Sequence, residues 1–101
     1  MTHVERWMLA AALVLAAPAV PAQDQLARNL AATCANCHGT NGASRGEVAP
    51  LAGRAAPELI AAMADFKSGA RSATIMQQIA KGYTDEQLRL IAGFFAAQPR
   101  P

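Results

Sequence analysis

Cys34-Ala35-Asn36-Cys37-His38 is the stretch from which the rest of this chain is read. Two thiols three positions apart, followed at once by an imidazole, form the attachment pattern of a c-type haem. A haem carries vinyl groups on neighbouring pyrroles, and one helical turn spaces Cys34 and Cys37 to reach both. His38 then presents its ring to one haem face as the proximal ligand. Gly39 comes next, where a side chain is expected to crowd the macrocycle and where glycine tolerates positive φ.

Two other chemistries use the same residue types. A redox Cys-x-x-Cys of the thioredoxin kind belongs to a βαβ setting, and no alternating β-branched strand flanks this one. A structural zinc normally takes four protein ligands, and the whole chain offers only Cys34, Cys37, His38 and His3. His3 lies in a segment expected to be removed.

That segment reads as a secretory signal. Arg6 provides a weak positive start partly offset by Glu5, Met8 to Ala17 is uninterrupted apolar sequence, and Val20-Pro21-Ala22 supplies small residues for a signal peptidase. The apolar run is shorter than the roughly 20 residues that span a bilayer. The expected organisation is therefore a signal over 1–22 and one domain over 23–101. The destination is the periplasm, with no stable membrane insertion after cleavage.

A mature chain of about 79 residues is near the lower limit for an independent core. Such scaffolds need a staple, and two cysteines with 5% aromatic residues supply little of one. A covalently held porphyrin would become the middle of the core. The net charge is +2, which haem propionates would lower, so no basic field points to nucleic acid.

Outward from the pentapeptide, the pattern predicts an all-α domain of about four helices around one haem. Asp24 to Thr33 reads as the first helix, with Leu26 and Leu30 on its inner face. Gly39 to Ala56 is loop by composition, and it should wrap the proximal side. Pro57 opens a helix whose stripe is Leu59, Ile60, Met63 and Phe66 and whose stop is Gly69. A short piece from Ser72 or Ala73 carries Ile75, Met76 and Ile79. Thr84 with Gln87 forms a capping box for a last helix bearing Leu88, Ile91, Phe94 and Phe95. Ala92 and Gly93 should let that helix pass close to the first, with Phe94 filling the crossing.

An electron carrier wants ligands on both iron faces, and methionine raises the potential relative to a second histidine. Beyond the signal His38 is the only histidine, leaving Met63 and Met76, with Lys81 a weaker donor. Met63 sits mid-stripe and reads as core. Met76, between a loop and the last helix, is favoured as distal ligand, an ordinary core methionine being the other reading. Pro50 is a candidate carbonyl partner for the His38 ring. Arg71 and Lys67 either neutralise propionates or form a docking rim, or are simply solvated.

Cys34 to Gly42, Pro50-Leu51-Ala52-Gly53 and Ile91-Ala92-Gly93-Phe94-Phe95 together resemble small bacterial class I cytochromes c. Phe66 to Gln87, with Thr74-Ile75-Met76 and Ile79-Ala80-Lys81-Gly82-Tyr83, resembles the cytochrome subunits of flavocytochrome c sulfide dehydrogenases. The resemblance runs from the first helix to Gln98 and implies an all-helical cytochrome c domain with Met76 as distal ligand. It further implies a periplasmic flavoprotein partner that oxidises sulfide. Some members carry two haem domains, whereas this sequence has one attachment motif. The expected function is single-electron transfer by haem c, as the subunit that accepts electrons from that flavoprotein and passes them to a downstream cytochrome or oxidase. The alternatives are a free-standing shuttle to an oxidase or reductase, and a gas-binding haem with an open sixth position. No acid, base or nucleophile constellation accompanies the motif, so the chain alone reads as a non-enzyme.

Overall fold

The structure is a computed structural model that describes residues 18–101. The apolar run from Met8 to Ala17, and with it most of the expected signal, lies outside the described residues. Among the described residues five α-helices follow one another: α1 (Ala22–Ala31), α2 (Ala35–His38), α3 (Ala56–Ser68), α4 (Met76–Lys81) and α5 (Asp85–Ala96). Two 3₁₀ turns, Ala32–Cys34 and Thr40–Gly42, bracket α2. Among the described residues there is no strand, and no helix is long and apolar enough to cross a membrane. The all-α expectation holds, with the haem-motif turn as a short helix of its own.

Local chemistry sets most of the boundaries. Pro57 lies in the first turn of α3, where its missing N–H costs nothing. Gly69 ends that helix in the left-handed conformation, at φ 82°. At α5 the Thr84 hydroxyl accepts from the Gln87 amide at 3.1 Å, and the Gln87 side chain accepts from the Thr84 amide at 2.9 Å. Asp85 and Glu86 place negative charge in the same first turn, where the helix dipole favours it.

Two elements start elsewhere than their sequence suggests. The first helix begins at Ala22 and tightens into 3₁₀ geometry before Cys34, so its buried residue is Ala31 while Leu26 stays 49% exposed. The Met76 helix begins at Met76 itself, because Ile75 is at φ −135°, outside helical space.

The core gathers Ala31 of α1, Leu59 of α3 and Leu88, Ile91, Ala92 and Phe95 of α5. Phe95, at 2% exposure, is the largest fully buried side chain, and Phe94 packs only partly, edge-to-face against it at 5.3 Å. Phe94 and Phe95 together line a small cavity with Arg28, Ala31 and Ala32, so both rings stand where α5 meets α1, Phe95 buried and Phe94 half-buried. Gly93 is exposed, with open space where a Cβ would sit. Of the expected small residues Ala92 is buried and Gly93 is not, and Phe95 joins Phe94 there, because helical phase puts 92 and 95 on the inner face together.

Among the described residues eight hydrophobic side chains are buried, and four of them are alanines. Side chains of this size leave the middle of a small domain unfilled. A cavity of about 540 Å³ occupies that place, walled in part by Leu59, Ile91, Ala92 and Phe95.

Candidate functional site

Cys34 closes the 3₁₀ turn, Cys37 and His38 end α2, and all three line the 540 Å³ cavity. Both thiols are free, Cys34 half-buried and Cys37 exposed. Burial pushes the Cys34 thiol above its ordinary value, against hydrogen bonds from the Thr33 side chain and its own backbone that pull it down. The volume falls within the roughly 300–1,000 Å³ typical of cofactor pockets.

The His38 ring is oriented by the loop that follows it. Its Nδ1 lies 2.6 Å from the carbonyl oxygen of Ala49. A carbonyl only accepts, so Nδ1 carries the proton and Nε2 is the nitrogen left to bind a metal. The acceptor is one residue earlier than the candidate Pro50, which is thus a plain loop proline, since the turn of the loop and not the residue type decides which carbonyl faces the ring. That turn is pinned from behind. The Leu51 and Ala52 amides both donate to the Gly42 carbonyl, at 2.8 and 3.1 Å, and the Gly53 amide donates to the Phe95 carbonyl at 2.9 Å. Thus the loop after the motif is tied to α5 and delivers Ala49 to His38.

Gly39 sits at φ 82°, and a Cβ there would come within 2.9 Å of the Ser44 amide nitrogen. Positive φ is as expected. A side chain there would crowd the loop's own backbone at Ala43 and Ser44.

Met76, at the start of α4, lines the same cavity, and so does Met63 of α3. Met63 also packs against the buried core. Both thioethers therefore face the space that His38 faces, and the structure does not separate them. Lys81 does not line it. Of the two basic residues considered, Arg71 lines the cavity with its guanidinium 4.9 Å from the centre of the Phe66 ring, a cation–π arrangement. Lys67 instead reaches Asp85 at 3.4 Å. Arg54 is a further cation on the wall, paired with Glu58 one helical turn on.

Sequence reasoning passed over Thr33 and Tyr83, which both line the cavity and whose hydroxyls are 2.7 Å apart. The available signal was that Tyr83 is the single tyrosine of a chain poor in aromatics. A tyrosine needs a partner for its polar tip when the ring is packed.

The donor set fits a covalently attached haem. Two free thiols at thioether spacing, an imidazole with Nε2 available and soft sulfur donors share one apolar space inside the core. A porphyrin there would supply the bulk that the alanine-rich core lacks.

Comparison with known proteins agrees with that geometry. Residues 21–95 match the family described as cytochrome c oxidase, cbb3-type, subunit III. The chain is 41% identical to the cytochrome subunit of sulfide dehydrogenase of Chlorobaculum tepidum, over 79% of this chain and 74% of the relative. It is 38% identical to the thiosulfate dehydrogenase electron acceptor of Stutzerimonas stutzeri, over 94% of this chain but 49% of that protein. Cytochrome c-554(548) of Halomonas halodenitrificans is 33% identical over 65% of this chain and 84% of its own.

Proposed function

This chain belongs to the c-type cytochromes, in the family of cytochrome c oxidase, cbb3-type, subunit III, and from that premise we propose that it is the haem subunit of a sulfide-oxidising assembly, accepting single electrons from a flavoprotein. Membership makes it a mono-haem electron-transfer protein carrying haem c, and not an enzyme by itself. The observation that carries the finer reading is the 41% identity to a cytochrome subunit of sulfide dehydrogenase across most of both chains.

When bound, haem c supplies an iron that moves between ferric and ferrous states, one electron at a time. The chain's own residues do the rest. We assign Cys34 and Cys37 as the two covalent tethers, His38 as proximal ligand through Nε2 and Met76 as distal ligand. The Ala49 carbonyl holds the imidazole in one orientation and one tautomer. Leu59, Ile91 and Phe95, apolar side chains of the cavity wall, would keep water from a bound ring, and such burial would favour the less charged ferrous state. Arg71, at the cavity wall, would offer its cation to an ionised propionate of the bound group. In this reading residues 1–22 are a secretory signal, 23–101 the mature domain, and the periplasm its compartment. Cleavage after Ala22 would remove only the first residue of α1.

The test is reduction by sulfide, followed in the visible absorption of the haem. Reduction is expected when the flavin-containing partner is present and negligible without it. A rate that the partner leaves unchanged refutes the subunit reading. The resemblance to a protein named for accepting electrons from thiosulfate dehydrogenase favours a second reading, a free-standing shuttle. Partner-independent exchange with several donors and no co-purifying flavoprotein would be its signature.

A further inference from the structure

We propose that Tyr83 is a positioning residue for the distal iron ligand: its hydroxyl latches the segment that carries Met76 onto the haem-attachment turn. The proposal rests on Met76 being that ligand, as assigned above.

The latch joins two parts of the chain 50 positions apart, Tyr83 and Thr33, through a hydroxyl pair at 2.7 Å. Its direction follows from proton counting. Thr33 Oγ1 has one proton, and once Cys34 is tied as a thioether, a weak acceptor, that proton goes to the Leu30 carbonyl at 3.2 Å. Oγ1 must therefore accept from Tyr83, and the phenol is the donor. Thr33 directly precedes Cys34, so the acceptor is built into the turn that holds the first thioether.

Tyr83 is well placed to pass this restraint to Met76. The last turn of α4 winds straight into it: the Gly82 amide donates to the Ile79 carbonyl at 3.0 Å and the Tyr83 amide to the Ala80 carbonyl at 3.3 Å. Met76 begins the same six-residue helix. A helix this short does not hold itself in water; it needs tertiary restraint. Packing supplies part of that restraint, through Ala80 at 0% exposure. Among the hydrogen bonds of the described residues, Tyr83 to Thr33 is the one that joins α4 and its flanks to the turn bearing Cys34, Cys37 and His38. The proximal and distal ligands thus sit on two segments that this bond holds in register.

Losing one neutral, partly exposed hydrogen bond changes an equilibrium by roughly fivefold. The equilibrium at issue is methionine on iron against methionine off, and free imidazole reads it because it binds only when the methionine has left. The experiment uses the haem-loaded ferric protein titrated with imidazole alone. Tyr83→Phe keeps the ring and drops the donor; Thr33→Val keeps the shape and drops the acceptor. Each is expected to raise imidazole affinity about fivefold, and the double variant no further than either one. Thr33→Ser, which restores the acceptor, should return the wild-type value. Leu88→Val, a buried change away from the cavity wall, controls for general loss of stability and should leave affinity unchanged.

Unchanged affinity in both Tyr83→Phe and Thr33→Val overturns the latch, as does an equal rise in Leu88→Val. Multiplying effects in the double variant overturn it too. Should Tyr83→Phe fail to assemble, Thr33→Val and Thr33→Ser carry the test. Met76→Ala separates the two levels: it should bind imidazole more tightly than any latch variant. If it matches wild type, the ligand assignment is wrong and the latch falls with it.

Discussion

Phe95→Ala is expected to destabilise the haem-loaded protein by about 3–5 kcal/mol, the usual cost of emptying a buried phenylalanine site, and Phe94→Ala by about half as much. The two rings are sequence neighbours of identical chemistry, so composition cannot rank them. Phe95 is 2% exposed, sits in the core cluster and lines the cavity. Phe94 is only half-buried at the margin of that cluster. Their edge-to-face contact, at 5.3 Å and 78°, is worth about 0.5–1.5 kcal/mol. Either deletion removes it, so it cancels in the comparison. A domain of this length has a total stability of about 4–12 kcal/mol, so Phe95→Ala consumes a large fraction. At about 4–8 °C per kcal/mol its melting temperature should fall by at least about 12 °C. The assay is thermal and guanidinium unfolding of both variants, followed by helical circular dichroism and by the haem absorption. Phe95→Ala should also disturb the haem spectrum before unfolding, since the ring is part of the cavity wall. If Phe94→Ala costs as much as Phe95→Ala, the placement of Phe95 rather than Phe94 on the buried face of α5 is wrong.

Three further outcomes follow from named contacts. Cys37→Ala should leave one thioether and Cys34→Ala the other, while the double variant releases its haem to acidified organic solvent; haem retained covalently by the double variant would refute the tether assignment. Thr84→Ala removes the oxygen that caps the Gln87 amide and should cost about 0.5–2 kcal/mol, read as a lower denaturant midpoint with unchanged slope. Glu58 has its carboxyl held below the ordinary value by a hydrogen bond from Arg54 and then by that guanidinium's charge. A folded-state value below the unfolded one means the ionised pair stabilises above the unfolded carboxylate pKa, and this contribution is lost as pH falls through the folded one. Wild type should therefore lose melting temperature on acidification faster than Glu58→Gln, with the difference confined to the acid range; parallel curves would show that the pair contributes nothing.

Much of this molecule is written in short-range spacing. The thiols and imidazole of 34–38, the Thr84–Gln87 box, Pro57 in the first turn of its helix and Gly69 after its end are each satisfied within one or two turns of chain. Neighbouring residues suffice to specify them, and so the helices, their order and the covalent chemistry were legible without coordinates. Helix phase was legible only to within a residue. Leu26 looked like a core position and is 49% exposed, because α1 meets α5 through its last residues.

Short-range spacing alone specifies the kind of chemistry: one haem c in a small all-helical domain too poor in bulk to fill its own centre. Which atoms meet across the chain depends on the folded path. Ala49, not Pro50, faces His38; a Cβ at Gly39 would meet Ser44; Met63 and Met76 share one cavity; Tyr83 reaches Thr33. Every amide carries the same carbonyl and most hydroxyls can find some partner. Residue type therefore says that a bond can form, and only the path of the backbone in space says with whom.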